Sequence, residues 1–150
     1  MSHICFTYHI VWRTKRSECT ITEQYERQLY AYLYGICKRR KCHVYRINSM
    51  PDHVHICLEI LPIFSVSQFV KILKQESSKW ISSNRDKFPY FCGWANGFAA
   101  FSYSPKERPN LVEYIKNQKK HHRRTSFQDE VSELMREMGL EMSVDLFFKD

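Results

Sequence analysis

Pro51-Asp52-His53-Val54-His55-Ile56-Cys57-Leu58-Glu59-Ile60 alternates apolar with polar side chains. A period of two marks a β-strand, whose successive side chains point to opposite faces. Val54, Ile56, Leu58 and Ile60 share one face, and His53, His55, Cys57 and Glu59 share the other. The aliphatic face calls for a cover of helices. The two imidazoles stand side by side on the remaining face, ~7 Å apart along the strand. Two neutral imidazoles on one rigid surface can share a metal ion. A histidine pair on a wet strand face is more often plain polar surface, so the pair alone decides little.

Upstream, residues 3–13 also alternate, with Ile4, Phe6, Tyr8, Ile10 and Trp12 on one face and Cys5, Thr7, His9 and Val11 on the other. This is a first strand. A helix follows from Thr20 or Thr22 to about Lys41, with Ile21, Tyr25, Leu29, Tyr32, Leu33 and Ile36 as its apolar stripe. Residues 42–50 read as a second strand, and Asn48-Ser49-Met50-Pro51-Asp52 supplies turn residues before the third. Ser65 or Ser67 caps a second helix that buries Val66, Phe69, Val70, Leu73, Trp80 and Ile81. Residues 85–96 form a loop, 97–104 a fourth strand, 108–122 a third helix, and 128–138 a last helix stopped by Gly139.

The order is βαββαβ followed by helices. That is an α+β chain of ferredoxin-like, split-βαβ type: an antiparallel sheet with extra C-terminal helices. One sheet face lies under two helices, and the other is left free for a site. At 150 residues, one domain spanning 1–150 is the simplest reading.

Composition narrows the function. The chain is 43% hydrophobic and 15% aromatic, which fits a folded protein. No apolar run approaches the ~18 residues of a membrane span. Met1-Ser2-His3-Ile4-Cys5 lacks the features of a secretory signal, so a cytoplasmic location is expected. Six cysteines without a Cys-x-x-Cys pair read as reduced thiols, not a zinc set. A net charge of +7 suggests a polyanionic partner. Basic residues gather at Arg13, Lys15 and Arg16, at 38–41, and at 116–124.

The third helix contains Leu111-Val112-Glu113-Tyr114-Ile115-Lys116-Asn117-Gln118-Lys119-Lys120-His121-His122. Tyr114 and Gln118 lie four apart, on one helix face. On periodicity alone, such a tyrosine is ordinary half-buried packing with a wet hydroxyl.

The combination is recognisable. The chain resembles the single-tyrosine HUH transposases, small insertion-sequence enzymes acting on single-stranded DNA, with the REP-associated tyrosine transposases as relatives. The resemblance rests on Tyr8-His9-Ile10-Val11-Trp12-Arg13-Thr14-Lys15, Pro51-Asp52-His53-Val54-His55, residues 94–104, Tyr114 to His122, Phe127-Gln128-Asp129-Glu130 and Met138-Gly139-Leu140-Glu141. The loop Cys92-Gly93-Trp94-Ala95-Asn96-Gly97 departs from it, because relatives commonly carry a polar residue such as Gln after the Trp.

The resemblance implies a ferredoxin-like fold of HUH endonuclease type. It implies that His53 and His55 bind one divalent metal, that Tyr114 is the nucleophile, and that Gln118 is the third protein ligand. It implies Mg²⁺ or Mn²⁺ as cofactor, single-stranded DNA with hairpin ends as substrate, and a homodimer in which the tyrosine helix can complete the partner's site. The activity implied is cleavage and rejoining of DNA at transposon ends through a 5′-phosphotyrosine. The chemistry is consistent: a phenol with an ordinary pKa of about 10 needs help to attack phosphorus, and a cation can polarise the phosphate. Arg13, Lys15, Lys119, Lys120, His121, His122 and Arg123 are the candidates for holding the DNA backbone. His121 and His122 could instead assist a proton transfer or be solvated. Glu59 could support the site or be surface, and His9 could lie near the site or be structural.

Two other classes remain. Residues 97–103 faintly match the aromatic strand motif of RNA-recognition sheets, the mark of a non-catalytic nucleic-acid-binding module. A replication initiator or conjugative relaxase would share the HUH chemistry, but those are usually longer and carry a helicase or primase partner domain for which this chain has no room.

Overall fold

The computed structural model describes residues 2–140 and 144–150; Met1 and Glu141, quoted above, lie outside the described residues. Four strands, β1 (Thr7–Arg13), β2 (Val44–Met50), β3 (His53–Glu59) and β4 (Ala99–Tyr103), form one sheet in the order β2-β3-β1-β4. Each neighbouring pair is antiparallel. Helices α1 (Glu26–Arg39) and α2 (Val66–Ser82) complete the ferredoxin-like βαββαβ unit.

The alternation of the strands sorts their side chains as expected. Tyr8, Ile10 and Trp12 of β1 stand opposite Leu58, Ile56 and Val54 of β3. They pack with Leu29, Leu33 and Ile36 of α1 and Phe69, Val70 and Leu73 of α2 into the main core. Removing this area from water is the principal favourable term in folding. Ser65 is the cap of α2: its hydroxyl accepts from the Gln68 N–H, and the Gln68 side chain accepts from the Ser65 N–H.

Several boundaries differ from the sequence reading. β1 starts at Thr7, not at residue 3, because Thr7 faces Glu59 and Tyr103, the last residues of both neighbouring strands. Beyond them Ile4 and Phe6 have nothing to pair with and are exposed. α1 starts at Glu26. Thr20 and Thr22 serve the loop instead: the Thr20 N–H donates to Pro51 O, and the Thr22 hydroxyl donates to Lys87 O.

The third helix breaks at Asn117 into α3 (Arg108–Lys116) and α4 (Gln118–His121). Asn48 on β2 accounts for the break, since its Nδ2 donates to Ile115 O and Lys116 O and so satisfies carbonyls at the end of α3. α5 (Phe127–Glu137) is capped by the Ser126 hydroxyl and followed by Gly139 at φ 72°. A short α6 (Val144–Phe147) comes after it.

The largest departure concerns the second sheet face, which is not open. α3 to α6 cover it. Leu111 and Ile115 of α3 seat on Cys57 of β3. Phe127, Val131, Leu134 and Met135 of α5, with Phe147, seat on Val11, Ala99 and Phe101. The reason is in the strands: at the parity of the histidines they carry Val11, Cys57, Ala99 and Phe101, too apolar to be left wet. Among the described residues, no helix is long and apolar enough to cross a membrane.

Candidate metal and tyrosine site

Under this second cover the histidines of β3 are fully buried. β3 aims both rings at α5, where Glu130 enters the same space from a buried turn. Glu130 Oε1 lies 2.9 Å from His122 Nε2, 3.3 Å from His55 Nε2 and 3.5 Å from His53 Nε2. Glu130 Oε2 accepts from Gln118 Nε2 at 2.8 Å and from the Tyr114 hydroxyl. Ligand-capable atoms of His53, His55, His122 and Glu130 all fall within 4.8 Å of one another. Five buried polar atoms here have no hydrogen-bond partner: His9 Nδ1, His53 Nε2, His55 Nε2, Gln118 Oε1 and His121 Nε2. Orphaned polar atoms of this kind are uncommon and mark an absent ligand or strain. Two imidazole nitrogens and an amide oxygen are suitable donors for a divalent ion.

Each histidine is oriented from behind. Asp52 Oδ1 sits 2.7 Å from His53 Nδ1, and Phe127 stacks flat on the His53 ring at 3.5 Å between centroids. His9 Nε2 sits 2.7 Å from His55 Nδ1. When Nδ1 is occupied in this way, the Nε2 lone pair is the one left for a metal. Burial draws His55 down to about 4, so it stays neutral at physiological pH. Burial and the neighbouring His55 likewise hold His9 well below the usual imidazole range. We predict that His9→Phe, which keeps a ring but removes the acceptor, weakens divalent-metal affinity about tenfold or more. His9→Gln should restore most of it, as read by calorimetric titration.

Tyr114 is half-buried against the cluster, its ring edge-on to His9 and His55 at 6.0 and 6.1 Å. Burial and the Glu130 carboxylate push the phenol far above its ordinary range. Burial works the other way on Glu130, but His122, His53 and His55 outweigh it and hold the carboxyl far below the usual range. Tyr114 without help is therefore a poor nucleophile. A groove of about 560 Å³, lined in part by Tyr103, Leu111, His121 and Leu134, runs up to its ring.

The family model for IS200-like transposases matches residues 3–118. The chain belongs to this family. It is 29% identical over 115 residues to the transposase of insertion sequence IS200 from Salmonella typhimurium, covering 74% of this chain and 75% of that one. It is 26% identical over 115 residues to the ISDra2 transposase TnpA of Deinococcus radiodurans, covering 74% and 82%. A solved structure of a candidate transposase from D. radiodurans superposes with a TM-score of 0.62 at 26% identity, over 78% of this chain and 93% of that one. A REP-associated tyrosine transposase solved with a REP hairpin superposes with a TM-score of 0.60 at 13% identity, over 81% and 72%, a likeness of fold. As an IS200-like transposase the protein is a DNA-cleaving and DNA-transferring enzyme.

The transposase distributes its other candidate residues unevenly. Lys15, Lys120 and Arg123 are exposed. Arg13 is not offered to DNA. It is 2% exposed, its guanidinium donating to Phe147 O at 3.0 Å and Ser17 Oγ at 3.1 Å and pairing with Asp150. Lys119 is also occupied, donating to Glu26 at 2.8 Å and to Ser49 O at 2.5 Å.

His122 is neither surface nor backbone contact. Its side chain is 6% exposed and faces Glu130, on the helix face of Gln118 four residues before it. His121 is half-buried near the same carboxylate, 3.6 Å away. Trp94 is partly buried against the core, its Nε1 donating to Ser77 Oγ and its ring edge-on to Trp12, whereas Tyr90 is exposed. Glu59 belongs to another contact, with the Tyr45 hydroxyl. Glu130, quoted above only for the resemblance, had no expected role in the site. Its signal was a carboxylate in the stripe Phe127, Glu130, Val131, Leu134 of an amphipathic helix, where an apolar residue is expected.

Proposed function

We propose that this transposase cleaves and rejoins single-stranded DNA at transposon ends through a covalent 5′-phosphotyrosine on Tyr114, with a divalent cation held by His53, His55 and Gln118. The observation that carries the reading is the meeting of the Tyr114 hydroxyl with unpartnered, buried His53 Nε2, His55 Nε2 and Gln118 Oε1 in one pocket. A bound Mg²⁺ or Mn²⁺ would supply charge to polarise the scissile phosphate. His9 and Asp52 hold the imidazoles in register. Tyr114 gives up its proton to water, its oxygen bonds to phosphorus, and the bond from phosphorus to the 3′ oxygen breaks, that oxygen taking a proton from water to leave as a 3′-hydroxyl. The ester keeps the bond energy, so attack by a 3′-hydroxyl reverses the step without a nucleotide cofactor.

The proposed substrate has hairpin ends. The REP-associated relative solved with a hairpin supports this class of DNA. Lys15, Lys120, Arg123 and Arg124 provide exposed positive charge for a backbone, and Tyr90 offers an exposed ring to an unpaired base. The proposed assembly is a homodimer.

The test incubates the protein with labelled hairpin-bearing oligonucleotides and Mg²⁺ or Mn²⁺. A covalent adduct on a denaturing gel is expected. No adduct with any single-stranded DNA, together with tight RNA binding, would favour a non-catalytic nucleic-acid-binding module.

A further inference from the structure

The pocket holds more donors than the proposed three. We infer that His122 and Glu130 also ligate the cation, adding a third histidine and a carboxylate to His53, His55 and Gln118 and making a centre that takes a divalent transition ion of the Mn²⁺ kind in preference to Mg²⁺. The inference rests on the proposed metal role of His53 and His55 and extends it.

Geometry is the first support. Ligands held about 2.1 Å from one ion stand about 3.0 Å apart at right angles and about 3.4 Å apart at the tetrahedral angle. Glu130 Oε1 lies 2.9, 3.3 and 3.5 Å from the Nε2 atoms of His122, His55 and His53. All three distances fall in the range of ligand–ligand edges, the shortest being also a hydrogen bond, and ligand-capable atoms of the four residues lie within 4.8 Å of one another. Two of those nitrogens, His53 Nε2 and His55 Nε2, are fully buried and make no hydrogen bond.

The second support is the division of labour within the carboxylate. Oε1 faces the imidazoles, while Oε2 accepts from Tyr114 and Gln118. One residue thus ties the cation site to the nucleophile.

Metal preference follows from donor chemistry. Mg²⁺ demands hard oxygen ligands and keeps most of its water. Three imidazoles and a carboxylate favour first-row transition ions.

The test titrates MnCl₂ and MgCl₂ into metal-stripped protein without DNA, by calorimetry. Mn²⁺ should bind at least about tenfold tighter than Mg²⁺. Glu130→Gln and His122→Phe should each weaken Mn²⁺ about 10- to 100-fold. Wild-type Mn²⁺ affinity in both variants, with loss in His53→Ala, would overturn the inference and leave the proposed site standing. Unchanged affinity in His53→Ala as well would remove the proposed site itself. Should the buried substitutions prevent folding, pulsed EPR of Mn²⁺ on the wild-type protein counts coordinated imidazoles. Three support the inference and two refute it.

Discussion

Tyr114→Phe is expected to abolish the covalent protein–DNA adduct and to lower strand cleavage at least roughly a thousandfold, because the variant has no atom that can form the ester. The rest of the pocket should survive. The phenyl ring can keep its edge-on contacts with His9 and His55, and Glu130 Oε2 keeps the amide of Gln118. Binding of a hairpin oligonucleotide, followed by fluorescence anisotropy, should change by no more than about twofold, since backbone contacts position DNA independently of the nucleophile. A residual adduct at wild-type level would point to another hydroxyl. Tyr103, which lines the same groove, would be the first to test.

His53→Ala should have a comparable effect on cleavage by a different route. It removes one of the proposed ligands and also takes away the ring that Phe127 covers and Asp52 orients. We expect loss of measurable Mn²⁺ binding and of adduct formation, with hairpin affinity largely kept. Excess metal ion should recover part of the cleavage if affinity is what fails. Parallel loss of DNA binding and thermal stability would instead show that the ring serves as packing. The two variants separate nucleophile from cation: the first should bind metal normally, the second should not.

Much of this was legible before any coordinates. Period-two alternation in 53–60 and 3–13 sorted the strand faces, and the core of Ile10, Trp12, Val54, Ile56 and Leu58 follows it. Ser65 and Gly139 marked real helix ends. Tyr114 and Gln118 share a pocket with the histidines.

What escaped depended on contacts between distant segments. A four-residue spacing implies a continuous helix, and only the reach of Asn48 to the carbonyls of Ile115 and Lys116 reveals the break at Asn117. Arg13 looks like part of a basic patch until the C-terminal residues Phe147, Phe148 and Asp150 close over it. The closed second face could have been anticipated from Val11, Ala99 and Phe101, apolar side chains at the histidine parity of the strands.

The seat of Leu111 and Ile115 on Cys57 has a practical side. That sulfur is fully buried between the sheet and the tyrosine-bearing helix, and burial pushes its thiol up to about 12. A thiol-reactive dye can reach it only when that helix lifts away, whereas Cys5, Cys19 and Cys92 are open to reagent at all times. The labelling rate at Cys57 is therefore a clock for departure of the helix from its own sheet. Any exchange of the nucleophile between two copies of the chain would have to run at that tempo or slower.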